Sequence, residues 1–177
     1  MTSPTGTIHL VPISIDADNI FQQLQDAIRY QFNYITRIKE QYFDLSQYFN
    51  PERVQYSAND ILSQLLDKVP DNQDKIICLT GVDIYIPVLT FIFGQAYLGG
   101  QAGVVSDYRL KNEFYGMPGN DELYHQRLLK CVIHELGHMF GLRHCSGLEC
   151  VMRSATYVED IDQKSIHLCR KCSLQLR

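Results

Sequence analysis

The sequence feature that most constrains this chain is a set of three histidines within residues 134–144, which read His-Glu-Leu-Gly-His-Met-Phe-Gly-Leu-Arg-His. On a helix, His134 and His138 lie one turn apart on the same face, so both imidazoles can be directed at one metal ion. Gly141 can adopt the left-handed conformation that ends a helix, after which the chain can turn and return His144 to the same point. The segment therefore predicts a helix that ends in a sharp reversal.

Glu135 lies one residue after the first histidine and is rotated from it by about 100° on the helix. Its carboxylate can therefore reach a metal-bound water without binding the metal. A His-Glu-x-x-His sequence alone also arises by chance, and a lone buried histidine is more often a core residue than a ligand. Here the third histidine follows at the required spacing, and catalytic zinc is held by three protein ligands with a fourth position open. We predict a catalytic zinc site of His134, His138 and His144, with Glu135 as general base.

Four of the six cysteines fall in the last third of the chain as two pairs, namely Cys145, Cys150, Cys169 and Cys172. Residues 1–6 lack the basic and apolar regions of a secretory signal, so we expect a cytoplasmic protein whose cysteines bind metal. Two close pairs fit a closed, tetrahedral zinc site made of four cysteines, and two disulfides are the alternative. His167 is a possible substitute ligand, although a surface position is expected for it. Cys78 and Cys131 stand alone in apolar surroundings and are expected in the core.

The residues from His134 onward also carry a family resemblance. The histidine pattern is followed directly by a cysteine, then by Cys150, Met152 and the pair Cys169-x-x-Cys172. This extended pattern resembles that of the archaemetzincin family of zinc metalloproteases. The resemblance implies a single metzincin domain with an upper subdomain of about residues 1–144 and a lower, zinc-stabilised one of about 145–177. It also implies two zinc ions per chain, the second bound by the four cysteines, and a methionine turn at Met152 beneath the catalytic metal.

Hydrophobic periodicity upstream of the histidines predicts a mixed α/β fold with a twisted mixed β-sheet and packed helices. The predicted strands are 7–15, 34–39, 75–80 and two short strands within 91–107, and the predicted helices are about 20–32, 58–69 and 121–141. The first strand–helix–strand unit should be parallel. Asp16 or Asp18 is expected to cap the first helix, and Ser57 with Asp60 has the spacing of a capping box for the second.

Composition limits the partners that the chain can take. Its net charge of −4 and the lack of a basic run give no support for a nucleic-acid partner. The most apolar stretch, residues 84–93, is shorter than the roughly 20 residues needed to span a bilayer. We therefore expect neither a nucleic-acid nor a membrane partner. The zinc site and the family resemblance imply peptide or protein substrates, and we expect a monomer. A zinc-stabilised binding protein with a silent site is the alternative, but such a protein would have no use for Glu135.

Two further features concern how the substrate is bound and how the oxyanion is stabilised. Residues 94–98 resemble the edge strand on which metzincins align an extended peptide, and adding a strand to a sheet edge is a common way to bind one. Tyr157, which follows the expected methionine turn, is a candidate for stabilising the oxyanion. The assignment rests on analogy alone, because metzincins that use a tyrosine for this purpose carry it closer to that methionine.

Overall fold

A computed structural model describes residues 3–15, 20–39, 44–70 and 73–176 of the chain. In chain order the elements are β1 (Thr7–Ile13), α1 (Phe21–Phe32), β2 (Ile35–Ile38), β3 (Phe49–Asn50), β4 (Gln55–Ser57), α2 (Ala58–Leu66), β5 (Lys75–Thr80), β6 (Ile84–Tyr85), β7 (Gly94–Ala96), β8 (Ala102–Ser106), α3 (Asp121–Met139), α4 (Val158–Asp162) and α5 (Arg170–Gln175). None of the described helices is both long enough and apolar enough to cross a bilayer.

The main sheet has five strands in the order β2-β1-β5-β8-β7. The pairs β1–β2, β1–β5 and β5–β8 are parallel, whereas β7 pairs with β8 in the antiparallel direction at the edge. The predicted mixed sheet and the predicted parallel β1–α1–β2 unit are therefore both confirmed. β3, β4 and β6 form a separate small sheet.

The central strand β5 divides the core into two layers. All six of its residues are buried, as expected for a strand covered on both faces. Ile77 and Leu79 belong to the core on the side of α1 and α3, whereas Ile76 and Cys78 belong to the core beneath α2. This alternation follows from the two-residue period of a strand. The sheet thus carries α3, the helix of the histidines, on one face.

Lys75 connects the end of α3 to the turn that follows β7. Its ammonium donates hydrogen bonds to the carbonyl oxygens of Gly100, at 2.8 Å, and Met139, at 3.0 Å. It also lies 4.6 Å from the ring centre of Phe140. In addition, the backbone N–H of Gly99 donates to the carbonyl of His138 at 2.8 Å. These contacts fix the edge strand relative to the histidine-bearing helix.

Some predicted boundaries and caps differ from the structure. β1 ends at Ile13 rather than at residue 15, because Ser14 adopts a positive φ of 55°. Ser57 does occupy the N-cap of α2, but its side chain makes no capping hydrogen bond, so the capping box with Asp60 does not form. The proposed caps Asp16 and Asp18 lie outside the described residues.

Helix α2 ends three residues before the predicted residue 69, and α3 ends at Met139 rather than at residue 141. The small sheet and the two short helices that follow residue 145 were not predicted from the sequence. Each of these elements has only two to six residues. Such short segments do not contain enough positions for a period to be recognised.

Candidate metal centres and active-site cleft

Helix α3 is fixed at both ends. The side chain of Asn120 accepts a hydrogen bond from the backbone N–H of Leu123 at 3.0 Å, which caps the first turn. At the other end Gly141 has a φ of 87°, as predicted for the residue that ends the helix. The N–H groups of Gly141 and Leu142 then donate to the carbonyls of His138 and Gly137, at 2.8 and 2.9 Å. This double hydrogen bond is a Schellman motif, and it reverses the chain toward His144.

The structure brings His134, His138 and His144 together, with one nitrogen from each ring within 4.8 Å of the others. The Nε2 atoms of His134 and His138 are 3.1 Å apart. Two imidazole ligands of a tetrahedral zinc ion, each about 2.0–2.1 Å from the metal, would be about 3.3 Å apart. The three side chains therefore fit a zinc ion at the predicted position.

Backbone carbonyls orient the two helical histidines. The Nδ1–H of His134 donates to the carbonyl of Val151 at 2.7 Å, and that of His138 donates to the carbonyl of Leu142 at 2.8 Å. Because Nδ1 carries the proton, Nε2 is left with the lone pair that binds a metal. Burial also lowers the pKa of all three histidines, to about 3 for His134. The imidazoles are therefore held neutral, which is the form that binds zinc.

Glu135 is buried, and its carboxyl group lines the same cleft as the histidines. Burial raises the pKa of this carboxyl to about 8, and the nearby Lys164 acts in the opposite direction. Gly94 of strand β7 lies directly against it. A Cβ at Gly94 would come within 2.7 Å of Glu135 Cγ and 2.8 Å of Oε1. Strand β7 can approach the glutamate this closely only because residue 94 has no side chain.

The sequence pattern placed Gly94 on the edge strand but did not predict its contact with Glu135. The available signal was the glycine itself, since a glycine within a strand pattern often marks the close approach of another group.

Cys145, Cys150, Cys169 and Cys172 form a second group of metal-binding side chains, with their sulfur atoms within 4.8 Å of one another. The Sγ atoms of Cys145 and Cys169 are 3.8 Å apart, as are those of Cys150 and Cys172. Two thiolates on a tetrahedral zinc ion, each about 2.3 Å from the metal, would be about 3.8 Å apart. A disulfide requires about 2.05 Å, so these cysteines are free and the disulfide alternative is wrong.

Hydrogen bonds to sulfur support the thiolate form in this cluster. The backbone N–H groups of Gly147 and Cys169 donate to the sulfurs of Cys145 and Cys150, at 3.3 and 3.4 Å. A hydrogen bond from the backbone of Cys172 lowers the pKa of the Cys169 thiol to about 7, whereas burial raises the pKa of the Cys150 and Cys172 thiols. The hydrogen bonds to sulfur are expected of a structural zinc site, in which a bound metal ion keeps all four ligands deprotonated.

The remaining candidate ligands lie elsewhere. His167 is exposed and packs edge-on against the ring of Tyr30, with ring centres 6.0 Å apart, so it is not part of the cysteine cluster. Cys78 and Cys131 are buried, as predicted for core residues.

Met152 and Tyr157 follow the second cysteine of the cluster. Met152 is fully buried, and a Cβ at Gly137 of α3 would collide with its sulfur, so the thioether packs directly against the histidine-bearing helix. Its carbonyl also accepts a hydrogen bond from the N–H of Cys145 at 2.9 Å. Tyr157, in contrast, is 65 % exposed at the start of α4 and does not line the cleft. The geometry gives no support to Tyr157 as an oxyanion stabiliser.

The histidines open into a cleft of about 700 Å³ between β7 and α3. One side of β7 pairs with β8, and β7 is the last strand of the sheet. All three of its residues line the cleft. A segment of extended chain can therefore lie along this strand and pass the three histidines.

Three neutral imidazoles converge beside a buried carboxyl group, next to the open edge of the sheet. This arrangement is that of the active site of a zinc metallopeptidase. The sequence places the chain within one group of these enzymes. It belongs to Peptidase family M54, whose sequence model matches residues 33–177.

Individual relatives agree with this assignment. An archaemetzincin of Methanocaldococcus jannaschii is 40% identical over 129 residues, which cover 73% of this chain and 70% of that protein. An archaemetzincin of Pyrococcus horikoshii is 43% identical over 129 residues, which cover 72% of this chain and 69% of that protein. The resemblance predicted from the histidine and cysteine pattern is therefore confirmed.

Two solved structures share the fold. A zinc-dependent peptidase from Methanocorpusculum labreanum gives a TM-score of 0.86 at 30% identity, covering 96% of this chain and 100% of that one. An archaemetzincin from Archaeoglobus fulgidus complexed with malonate gives a TM-score of 0.80 at 33% identity, covering 96% of this chain and 99% of that one. The predicted fold class is therefore confirmed.

Proposed function

We propose that the chain hydrolyses peptide bonds with a water molecule activated at a zinc ion bound by His134, His138 and His144. Zinc held by these residues would lower the pKa of a bound water toward about 7 and would polarise the carbonyl of the substrate. Glu135 is the general base, which takes the proton of that water and later delivers it to the leaving amine.

The observation that carries this proposal is the position of Glu135. Its carboxyl group is buried, faces the cleft beside the three histidines and forms no ion pair among the described residues. A buried carboxyl group that forms no ion pair destabilises a fold. A role in the reaction accounts for its presence, whereas a protein that only binds zinc would gain nothing from it. The raised pKa also suits a group that must both accept and return a proton.

Strand β7 supports binding of an extended peptide. Its free edge can add a substrate strand through backbone hydrogen bonds, which would hold the peptide across the histidines without selecting its sequence. This arrangement fits peptide and protein substrates in general.

We assign the second zinc ion to the four cysteines. There it would cross-link the segment after residue 145 and stabilise it as a small lower subdomain. The 3.8 Å sulfur separations support this assignment. The upper subdomain then comprises about residues 1–144 and the lower one about 145–177. The free state of all the described cysteines also fits a reducing compartment, so we propose a cytoplasmic protein.

The test is turnover of a mixed peptide library by the zinc-loaded protein, with fragments identified by mass spectrometry. We expect cleavage by the wild-type protein and none by a Glu135→Gln control, which keeps the size of the side chain but cannot accept the proton. Equal turnover by the two proteins would contradict the role of Glu135. Absence of turnover by the wild type, with both metal sites filled, would favour a zinc-stabilised binding protein.

A further inference from the structure

The cleft carries more positive than negative charge. Among the described residues, four charged side chains line it: Lys130, Glu135, Arg143 and Lys164. Three of them are cations, and the single carboxyl group among the described lining residues is the general base. The chain as a whole has a net charge of −4, so the sign of the cleft is opposite to that of the molecule. An electropositive cleft attracts anionic groups of a substrate.

Two of these cations, Lys130 and Lys164, lie on the side of the cleft formed by α3 and α4. Lys130 is one helical turn before His134, and its ammonium donates to the carbonyls of Ile161 and Asp162, at 3.1 and 3.3 Å. Lys164 follows α4, is only 6 % exposed and donates to the carbonyl of Arg153. Both ammonium groups are thus held in place by the backbone, which accounts for their positions in the fold.

Neither ammonium forms a direct ion pair in the part of the chain that the structure describes, although Asp162 near Lys130, and Glu135 and Asp160 near Lys164, act to raise the pKa of these lysines. Among those residues no carboxylate lies within ion-pair distance of Lys130 or Lys164, and the nearby Asp162 is paired with Arg127 at 2.7 Å. Burial lowers the pKa of both lysines, because neutral carbonyl groups compensate only part of the hydration that the ammonium groups lose. A substrate carboxylate beside these ammonium groups would give them the direct ion-pair partner that they lack.

The other residues that line the cleft near the two lysines are uncharged. Cys131, Thr156 and Ile161 line this part of the cleft, and none of them carries a charge. We call the part of the cleft formed by Lys130, Cys131, Thr156, Ile161 and Lys164 the lysine recess. It adjoins His134 and Glu135 along α3, so it can hold a group that lies next to the bond being cleaved.

We propose that the lysine recess binds a carboxylate of the substrate next to the scissile bond, so that the enzyme selects peptides with an acidic group at that position. The inference rests on the proposed peptidase function, to which it adds a substrate class. The carboxylate can be the side chain of Asp or Glu, or the free carboxyl terminus of a short peptide. Both sources present the same planar anion to two ammonium donors.

Binding of matched probes to the zinc-loaded protein tests the proposal without requiring turnover. The probes are two peptide hydroxamates that differ only in a glutamate or glutamine side chain beside the metal-binding group, each with an amidated carboxyl terminus. A charged hydrogen bond in a desolvated site predicts a dissociation constant at least about tenfold lower for the glutamate probe, measured by isothermal titration calorimetry. A third probe carries alanine at that position and a free carboxyl terminus. The same peptide with an amidated carboxyl terminus is its control.

Substitutions of the two lysines test whether the lysine recess causes the preference for the acidic probe. We expect Lys164→Met to reduce the ratio of the dissociation constants of the glutamine and glutamate probes to near one. Lys164→Arg should retain most of this ratio, and Lys130→Met should reduce it in part. Lys39→Met is the matched control, because it removes a partly exposed lysine just after β2, at the sheet edge opposite β7 and outside the cleft, and should leave the ratio unchanged. Circular dichroism and zinc content verify that each variant is folded. If Lys164→Met does not fold, Lys130→Met and the wild-type ratio still decide the question.

Each outcome has a defined meaning. A preference for the glutamate probe assigns the recess to an acidic side chain, and a preference only for the free-acid alanine probe assigns it to a carboxyl terminus. Equal binding of all acidic and neutral pairs by the wild-type protein would overturn the proposal, as would a preference that survives in both methionine variants. Failure of the proposed peptidase function would instead be seen as absent turnover of the library, which leaves these binding ratios interpretable.

Discussion

His144 and Cys145 are consecutive residues, yet their side chains belong to different metal-binding groups. A ring nitrogen of His144 lies with those of the two helical histidines, whereas the sulfur of Cys145 is 3.8 Å from that of Cys169. Consecutive side chains of an extended segment point in opposite directions, so one short piece of backbone serves both groups. The position of the third histidine therefore depends on what holds the cysteine beside it.

The first prediction is that the two metal sites are energetically coupled. A Cys169→Ser, Cys172→Ser double variant should bind zinc at the histidines at least about tenfold more weakly, because the segment presenting His144 is no longer fixed by the second ion. Structural zinc contributes on the order of 10 kcal/mol in small domains, so its loss should disorder the tail more than the sheet. Zinc titration against a calibrated chelator, alongside circular dichroism, measures both effects. Unchanged affinity in a variant shown to lack the second ion would mean that the sites are independent.

The second prediction concerns metal content. Protein purified without chelator should contain close to two zinc ions per chain by elemental analysis, and His138→Ala should contain close to one. The cysteine cluster is untouched by that substitution, so its ion should remain. A value near zero, together with cysteines that do not react with a thiol reagent, would contradict the assignment of both sites.

The third prediction separates metal binding from chemistry. Glu135→Ala should keep both zinc ions and the fold but lose peptide hydrolysis by roughly 10²- to 10⁴-fold, the usual contribution of a general base. Rates of peptide cleavage and zinc content should be measured on the same preparation. Retention of full activity would show that another group takes the proton of the water.

The fourth prediction follows from the contact between Gly94 and Glu135. Gly94→Ala places a methyl group within about 3 Å of the glutamate carboxyl, which must then move. We expect a fall in kcat of up to about 100-fold with zinc content unchanged, since small displacements of a catalytic group have effects of this size. Gly119→Ala is the control, because there the nearest atoms to a Cβ would be those of the carboxylate of Glu113, an exposed side chain outside the cleft. Similar losses in the two variants would contradict the explanation.

The fifth prediction concerns the packing of Met152 beneath α3. Replacing glycine by alanine inside a helix normally stabilises a protein by up to about 1 kcal/mol. Gly137→Ala should instead lower the melting temperature, because its Cβ would collide with the sulfur of Met152. The effect should shrink in a Met152→Ala background, although that substitution alone costs about 2–5 kcal/mol. Additive effects of the two changes would show that the residues do not interact.

Much of the site could be predicted from sequence because its members are close together in the chain. His134, His138 and Gly141 are related by helical geometry and by the conformational freedom of glycine, so their arrangement follows from their spacing. The two ligand sets predicted from the sequence likewise assigned His144 and Cys145 to different metal ions. The sheet was also largely predictable, because β1, β5 and β8 are long enough to show a pattern of burial.

Long-range contacts could not be predicted in this way. Gly94 meets Glu135 only because β7 pairs with β8 and β8 packs beneath α3, and no local pattern contains that information. The lysine recess likewise depends on the carbonyl groups of residues 153, 161 and 162, which hold two side chains from different helices and loops. Ser57 failed as part of a capping box because spacing alone does not determine where a hydroxyl group points.

The alternation at residues 144 and 145 also restricts how the length of the chain can change during evolution. Inserting one residue between His144 and Cys145 would turn both side chains to the same face, and one of the two metals would lose a ligand. Deleting a residue between Gly141 and His144 would likewise turn the histidine away from its partners. A surface loop such as residues 116–120 is under no comparable restriction. Length differences among related sequences should therefore accumulate in such loops and be absent from residues 141–145.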